Sequence, residues 1–243
     1  NIGYALVPLV DEGKVDNLVP KVTRLRKEIS KALGFIIPGV RIRDDLNLEA
    51  SQYQIKIGQK IVADDIVYAD KKLAIAGDST KLELSGLKVK EPAFGVDAYW
   101  IDKELQADAE AKGYVIVEPD DVLTTHLSQI INAYASDLLG QEEVQELLDN
   151  LQLSYPNLVD TVVPKVMPLN QVTAVMKCIL EEGVPISDLR LILESISSMN
   201  VQKMDSDDVA ERIRPKLVPL LIQELIKFKD TVPLITFSPE LEQ

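Results

Sequence analysis

Adjacent carboxylates are the residues of this chain whose types and spacing most directly suggest chemistry: Asp44-Asp45, Asp64-Asp65, Asp120-Asp121 and Asp207-Asp208. Two acids side by side can share a proton for general acid–base work or hold a hard cation. Each pair, however, precedes a helix-like stretch or lies beside a turn, where carboxylates cap backbone N–H groups, and capping is the expected role. The enzymatic alternative, an acidic hydrolase using a carboxylate pair, requires a concave pocket holding strongly perturbed acids. A nucleophile–base arrangement would have to recruit His126, the sole imidazole, with Thr124 or Thr125 beside it. Residues one or two apart on a helix do not face each other, so His126 is expected as a satisfied or half-exposed histidine. One His and one Cys distant in sequence do not make a transition-metal shell, and the scattered glycines follow neither a Walker nor a dinucleotide spacing. No cofactor is expected. Cys178 lies in an apolar helical pattern and reads as a small buried hydrophobe; a lone cysteine forms no internal disulfide and fits a reducing cytoplasm.

The segment Glu91-Pro92-Ala93-Phe94-Gly95 is of another kind. Pro92 forces its predecessor towards an extended conformation and Gly95 permits close backbone approach, which places Phe94 on a stiff, bent stretch between two units. The pattern alone favours a Phe94 packed in an interdomain core over one presented to a partner.

These residues must be positioned by a chain of 243 residues, a length that favours two or three modest domains over one. With 46% hydrophobic residues it has material for ordered cores. No window approaches the roughly 18–20 apolar residues of a membrane span, and no signal-peptide pattern opens the chain, so it is not expected to cross a bilayer by itself. It starts at Asn1, without a methionine and directly before a strand-like run, as a piece of something larger would. The net charge of −13, from 26 basic and 39 acidic residues, disfavours nucleic acid and anionic lipid as partners. A local basic run, Lys21, Arg24, Arg26, Lys27, Lys31, Arg41 and Arg43, is interrupted by Glu28 and reads first as a solvated helix face.

Residues 3–10 read as a strand ending near Pro8, followed by a turn at Asp11-Glu12-Gly13. Leu18, Val22, Leu25, Ile29 and Leu33 recur at helical steps between a cap at Asp16 and a stop at Gly34. Val40–Arg43 and Tyr53–Ile57 alternate as strands, and Gly58-Gln59 reads as a hairpin turn, giving β-α-β-β-β for the first seventy residues. A small α+β unit follows from Leu73, with turns at Gly77-Asp78 and Ser85-Gly86, a strand at Ala98–Ile101, a helix over 102–112 and a strand at Tyr114–Val117. Pro119-Asp120-Asp121 opens a long helix ended by Gly140, after which the pattern turns helical. Tyr155-Pro156-Asn157 breaks one stripe, Ser187 caps a later helix, and Pro215 and Pro219 require a kink or break in the helix that starts at Asp205-Ser206. The close, Val232–Pro239, reads as a strand without a partner.

Several blocks occur together: Gly3-Tyr4 with Pro8-Leu9-Val10-Asp11, Ile42-Arg43-Asp44, Pro92-Ala93-Phe94-Gly95, Trp100-Ile101, Thr125-His126-Leu127 and Val184-Pro185-Ile186-Ser187-Asp188-Leu189-Arg190. With them the chain resembles, over essentially its whole length, the cytoplasmic domain of the flagellar and type III secretion export-gate proteins, more closely the flagellar branch. The virulence branch, the runner-up, typically lacks the intact Pro-Ala-Phe-Gly and Gly-Tyr blocks. The resemblance implies an α+β multidomain fold in a non-enzymatic protein of the bacterial inner membrane, this part facing the cytoplasm and reaching the membrane only through an absent N-terminal part. It implies a subdomain one at 1–69 and 119–138, an inserted subdomain two at 70–118 and a helical subdomain three at 139–218 that makes ring contacts. Residues 219–243 would open a truncated subdomain four. Implied partners are export chaperones with their substrates, export ATPase components and further copies in a nonameric ring. Family members bind loaded chaperones in a hydrophobic dimple between the first two subdomains, lined by an acidic residue and a phenylalanine flanking Pro-Ala and by a threonine before the histidine. Those map onto Glu91, Pro92, Ala93, Phe94 and Thr125, and reverse the preference for a packed Phe94; some members carry aspartate where Glu91 stands. Gly3 matches a position important for conformational change. Pro215 and Pro219 depart from the usual helix at that junction.

Overall fold

The computed structural model describes residues 1–10, 17–77, 80 and 83–226. The expected turn at Asp11–Gly13, the cap at Asp16, the turn residue Asp78 and the strand Val232–Pro239 lie outside the described residues, as does the stretch from residue 227 onward. The architecture is α+β, in two compact units, Asn1–Gln145 and Glu146–Gln243.

The first unit begins with a departure from the sequence pattern. Residues Tyr4–Leu9 form a 3-10 helix, not a strand. The reason is a long-range competition for backbone groups: Gly3 N–H bonds the carbonyl of Gln52 at 2.8 Å and Ala5 N–H that of Ala50 at 2.9 Å, leaving Ile2 alone in bridges to Asp44 and Tyr53. Val40–Arg43 is likewise not a strand, because only Ile2 runs beside it: Ile2 N–H bonds the Arg43 carbonyl at 2.9 Å and the chain then curls away.

Helix α1, Leu18–Leu33, buries Leu18, Val22, Ile29 and Leu33, is capped by Asn17, whose side chain accepts from Val19 N–H, and stops at Gly34 with φ 91°. Strands β1 (Gln52–Ile57) and β2 (Lys60–Ile66) form the expected hairpin, turned by Gly58-Gln59 with Gly58 left-handed at φ 59°. A second, four-stranded antiparallel sheet has the order β4-β5-β3-β6, from β3 (Lys72–Ala76), β4 (Leu87–Lys90), β5 (Asp97–Ile101) and β6 (Tyr114–Val117). Between the last two lies α2, Gln106–Ala111, preceded by a 3-10 turn at Lys103–Leu105, so the helix expected over 102–112 is shorter.

Alternation along β5 assigns side chains to two cores. Ala98 and Trp100 join Ile2, Leu6, Val22, Tyr53, Leu73, Val122 and Leu123, whereas Tyr99 and Ile101 face Ala74, Ala109 and Tyr114 beneath α2. The first of these cores also receives α3, Pro119–Ala133, which packs on α1. Pro119 sits at the tolerant first position of α3, and the helix gives way at Tyr134 to α4, Ala135–Leu138, before Gly140 is reached.

After α5 (Gln141–Gln152), the described part of the second unit holds α6 (Pro156–Val162), α7 (Leu169–Glu181), α8 (Leu189–Ser197) and α9 (Ser206–Ile226). Helix α7 packs on α9, α6 on α8 and α8 on α9, through residues such as Val172, Met176, Ile192, Ile196, Val209 and Ile213, all fully buried. Asp188, not Ser187, caps α8, accepting from Leu191 N–H at 3.0 Å. Of the expected kink or break at Pro215 and Pro219, a break does not occur: both lie inside α9 and are solvent-exposed. The residues whose carbonyls lose an N–H partner, Glu211 and Pro215, are themselves exposed.

Candidate functional site

The β4–β5 hairpin closes through Lys90 opposite Asp97, and residues 91–96 make its tip. Glu91 N–H bonds the Val96 carbonyl at 2.8 Å, and Gly95 N–H bonds the Glu91 carbonyl at 2.9 Å. The Glu91 side chain folds into this tip: Oε1 accepts from Ala93 N–H at 3.0 Å and Oε2 from Phe94 N–H at 2.7 Å. Only 3% of Glu91 is exposed. Pro92, with no N–H to satisfy, fixes the first bend. Gly95 is required by its left-handed φ of 67° and not by close approach, since a Cβ there would meet nothing within 4 Å. The result is a rigid tip that holds its aromatic outward: Phe94 is 72% exposed. Pattern reasoning favoured a packed Phe94; the internal use of the Glu91 carboxylate is what turns the ring out.

Phe94 stands at a recess of about 620 Å³ between α1 and α3. Lys21, Arg24, Leu25 and Glu28 line it from α1, and Asp121, Thr124, Thr125, Ser128, Gln129, Asn132 and Ala133 from α3. The structure thus brings Phe94 and Thr125 together, although they are far apart in sequence, while Glu91, Pro92 and Ala93 support the tip from behind. By residue type the lining is mostly polar, with Leu25, Phe94 and Ala133 its apolar members, and Phe94 is its large exposed apolar residue. Thr124 turns its hydroxyl back onto the Asp120 and Asp121 carbonyls, at 3.0 and 3.1 Å. Lys21 crosses from α1 to Asp120 at 2.6 Å and Asp121 at 2.5 Å. Burial pulls the Lys21 ammonium down, but the two carboxylates outweigh it and hold it above the usual lysine range.

His126, next to Thr125, points the other way. It is 7% exposed, and Nδ1 lies 2.6 Å from the Tyr53 hydroxyl, with the rings edge to face. Burial lowers the affinity of the imidazole for a proton, against the pull of Asp65 and Glu91. Burial, with Asp65, Glu91 and Asp64, raises that of the Tyr53 phenol. The phenol therefore keeps its proton and donates to a neutral imidazole, an internal tie between β1 and α3.

The aspartate pairs serve structural bonds. Asp45 accepts from Asn47 N–H and from the Asn1 side chain, and Asp120 and Asp121 hold Lys21 at the start of α3. Asp64 sits within β2, not beside a turn, and binds Gln52 and Gln54 across the hairpin at 2.7 Å each. At the start of α9 it is Asp205 that caps, accepting from Asp208 N–H.

Gly3 is buried against β1, and a Cβ on it would lie 2.0 Å from the Glu49 carbonyl oxygen and 2.5 Å from that of Ala50. Sequence reasoning overlooked Gln129 and Asn132 in the recess wall; neither carries a signal beyond its place on the α3 periodicity.

The fold presents one aromatic at a hairpin tip, and no helix among the described residues is long and apolar enough to cross a membrane. The FHIPEP family model matches residues 1–243, and the chain belongs to that family. It is 34% identical over 242 residues to the flagellar biosynthesis protein FlhA of Buchnera aphidicola subsp. Schizaphis graminum, covering 100% of this chain and 35% of that protein. With the flagellar biosynthesis protein FlhA of Helicobacter pylori the identity is 33% over 243 residues, covering 100% of this chain and 33% of that protein. The chain thus spans about a third of the length of the curated relatives it matches. Among solved structures, the Chlamydia pneumoniae CdsV protein superposes with a TM-score of 0.81 at 22% identity, over 99% of this chain and 70% of that one. The Chlamydia pneumoniae CdsV and CdsO complex gives 0.79 at 24%, over 99% and 74%. Nonameric EPEC SctV-C gives 0.66 at 17%, over 99% and 78%. The fold is theirs.

Proposed function

We propose that this chain is a docking and ring-forming part of a flagellar type III protein export gate, working on the cytoplasmic side of the bacterial inner membrane. It receives chaperone–substrate complexes at the recess between α1 and α3. Phe94 inserts into the visiting protein, Thr125 contributes its hydroxyl, and Glu91, Pro92 and Ala93 hold the ring in place. The observation that carries this reading is the 72% exposure of Phe94 on a tip whose own buried acid locks it there. An exposed, preorganised aromatic with a polar rim is the physics of an interaction hot spot, and the role is binding, not bond-breaking.

The flagellar branch is favoured over the virulence branch because the relatives above 30% identity are flagellar biosynthesis proteins. A nine-copy ring and contact with an export ATPase component are supported by the likeness in fold to a nonameric domain and to CdsV in its complex with CdsO. In this reading residues 1–69 with 119–138 form subdomain one, 70–118 the insert and 139–218 the ring-contact subdomain, with 219–243 opening a fourth. Gly3, within subdomain one, packs its backbone against the Glu49 and Ala50 carbonyls and limits how that contact rearranges. Calorimetry of a cognate flagellar chaperone–substrate complex against this chain and its Phe94→Ala variant tests the site. A loss of at least tenfold in affinity is expected, and unchanged affinity would remove Phe94 from it.

A further inference from the structure

The recess has an electrostatic character that the aromatic alone does not explain. Helix α1 carries five basic residues against Glu28 alone, in a chain whose net charge is −13. Lys21 is neutralised by Asp120 and Asp121. Arg24, Lys27 and Lys31 are exposed, and none of them makes a hydrogen bond or ion pair among the described residues. Their spacing of three and then four residues puts them on one face, a stripe about 10 Å long at ~1.5 Å per residue. The stripe begins inside the recess, where Arg24 and Phe94 both line the wall. A cationic stripe with no ion pair among the described residues, running from an exposed aromatic on an acidic body, is complementary to one kind of ligand surface.

Resting on the docking reading above, we propose that the element recognised here is an acidic amphipathic helix of the partner protein. An apolar residue of that helix packs on Phe94, and carboxylates three, four and seven residues apart pair with Arg24, Lys27 and Lys31. Side chains on one face of an extended strand recur about every 6.6 Å, whereas carboxylates on a helix repeat the spacing of the cations themselves. Glu28, on the same face, repels a carboxylate set one turn out of register and so fixes the alignment. Long-range attraction between stripe and ligand speeds association and makes it sensitive to salt.

Two 20-residue peptides provide the probe: a helix with a leucine stripe flanked by glutamates, and the same helix with lysines for glutamates. Fluorescence anisotropy at low and high sodium chloride is run on the wild-type chain, on Phe94→Ala and on the combined Arg24→Glu, Lys27→Glu, Lys31→Glu variant, each checked by circular dichroism and thermal unfolding. The acidic peptide is expected to bind wild type, at least tenfold more weakly to the charge-reversed variant, and with little salt dependence there; the lysine peptide is expected to show the opposite preference. Equal binding of both peptides, or of the acidic peptide to wild type and charge-reversed chain, overturns the inference. The same variants against a chaperone–substrate complex separate the two ideas. If Phe94→Ala abolishes that binding and charge reversal leaves affinity and salt slope untouched, the recess docks chaperones without an acidic helix. If Phe94→Ala has no effect on it, the docking reading falls, and this inference with it.

Discussion

Replacing Glu91 by alanine isolates the device that presents Phe94. The carboxylate accepts two backbone N–H groups, from Ala93 at 3.0 Å and from Phe94 at 2.7 Å, in a position 3% exposed. Hydrogen bonds to a charged acceptor contribute about 1.5–3 kcal/mol each. Both donors lie near the surface, where water recovers part of the loss, so the expected destabilisation is about 2–4 kcal/mol, a large share of a typical domain's stability. The two backbone bonds that close the tip, Glu91 N–H to Val96 and Gly95 N–H to Glu91, do not involve the side chain and survive. The ring therefore stays at the surface but loses its fixed direction. Ordering one such side chain on binding costs about 0.5–1.5 kcal/mol, which predicts a roughly two- to twelvefold loss of affinity for a chaperone–substrate complex, less than for Phe94→Ala. Chemical denaturation measures the stability, and amide hydrogen exchange at Ala93 and Phe94 reads the tip directly: protection should fall at both. Glu91→Gln, which keeps one acceptor oxygen, should fall between. Wild-type exchange at those amides in Glu91→Ala would show that the carboxylate does not hold the tip. An affinity loss as large as that of Phe94→Ala, without a change in stability, would show that Glu91 touches the partner itself.

Other outcomes follow from the same geometry. Gly3→Ala places a Cβ 2.0 Å and 2.5 Å from two backbone oxygens that cannot swing aside. It should cost about 3 kcal/mol, seen as a melting temperature lowered by about 6–12 °C. His126 binds a proton less readily in the fold than its ordinary value of 6.5, because it is buried. Below that value the unfolded chain takes up the proton first, so stability is complete above pH 6.5 and declines as the pH falls further. In His126→Gln, denaturant midpoints measured from pH 7.5 to 5 should lose this component of the pH dependence. Burial and a hydrogen bond with Asp207 push the Cys178 thiol up to about 12. A thiol reagent at pH 8 should therefore label the folded chain far more slowly than the denatured one, and equal rates would contradict this.

Local regularities were legible because they repeat within a few residues. The apolar steps of Leu18, Val22, Ile29 and Leu33, the Gly58-Gln59 turn and Pro119 at the head of α3 each need no distant partner to be read, and each stands in the structure as the pattern implies. So does the stiffness of Pro92–Gly95, which residue types alone dictate, and the family resemblance carried by the blocks around it. The rest depended on which backbone and side-chain groups meet across long sequence separations. Residues 3–10 form an apolar run that reads as a strand, yet Tyr4–Leu9 coil into a 3-10 helix, because the Gln52 and Ala50 carbonyls take the N–H groups of Gly3 and Ala5. Pro215 and Pro219 look like breakers yet lie within α9, on its exposed side. Glu91 reads as an acid available to a partner yet turns inward onto its own loop, and His126 turns away from its neighbour Thr125 to find Tyr53. Periodicity announces which face of an element is apolar. Which groups satisfy the remaining donors and acceptors, and hence that Phe94 is left facing out beside Thr125 and Arg24, is decided only when the packed elements compete for them.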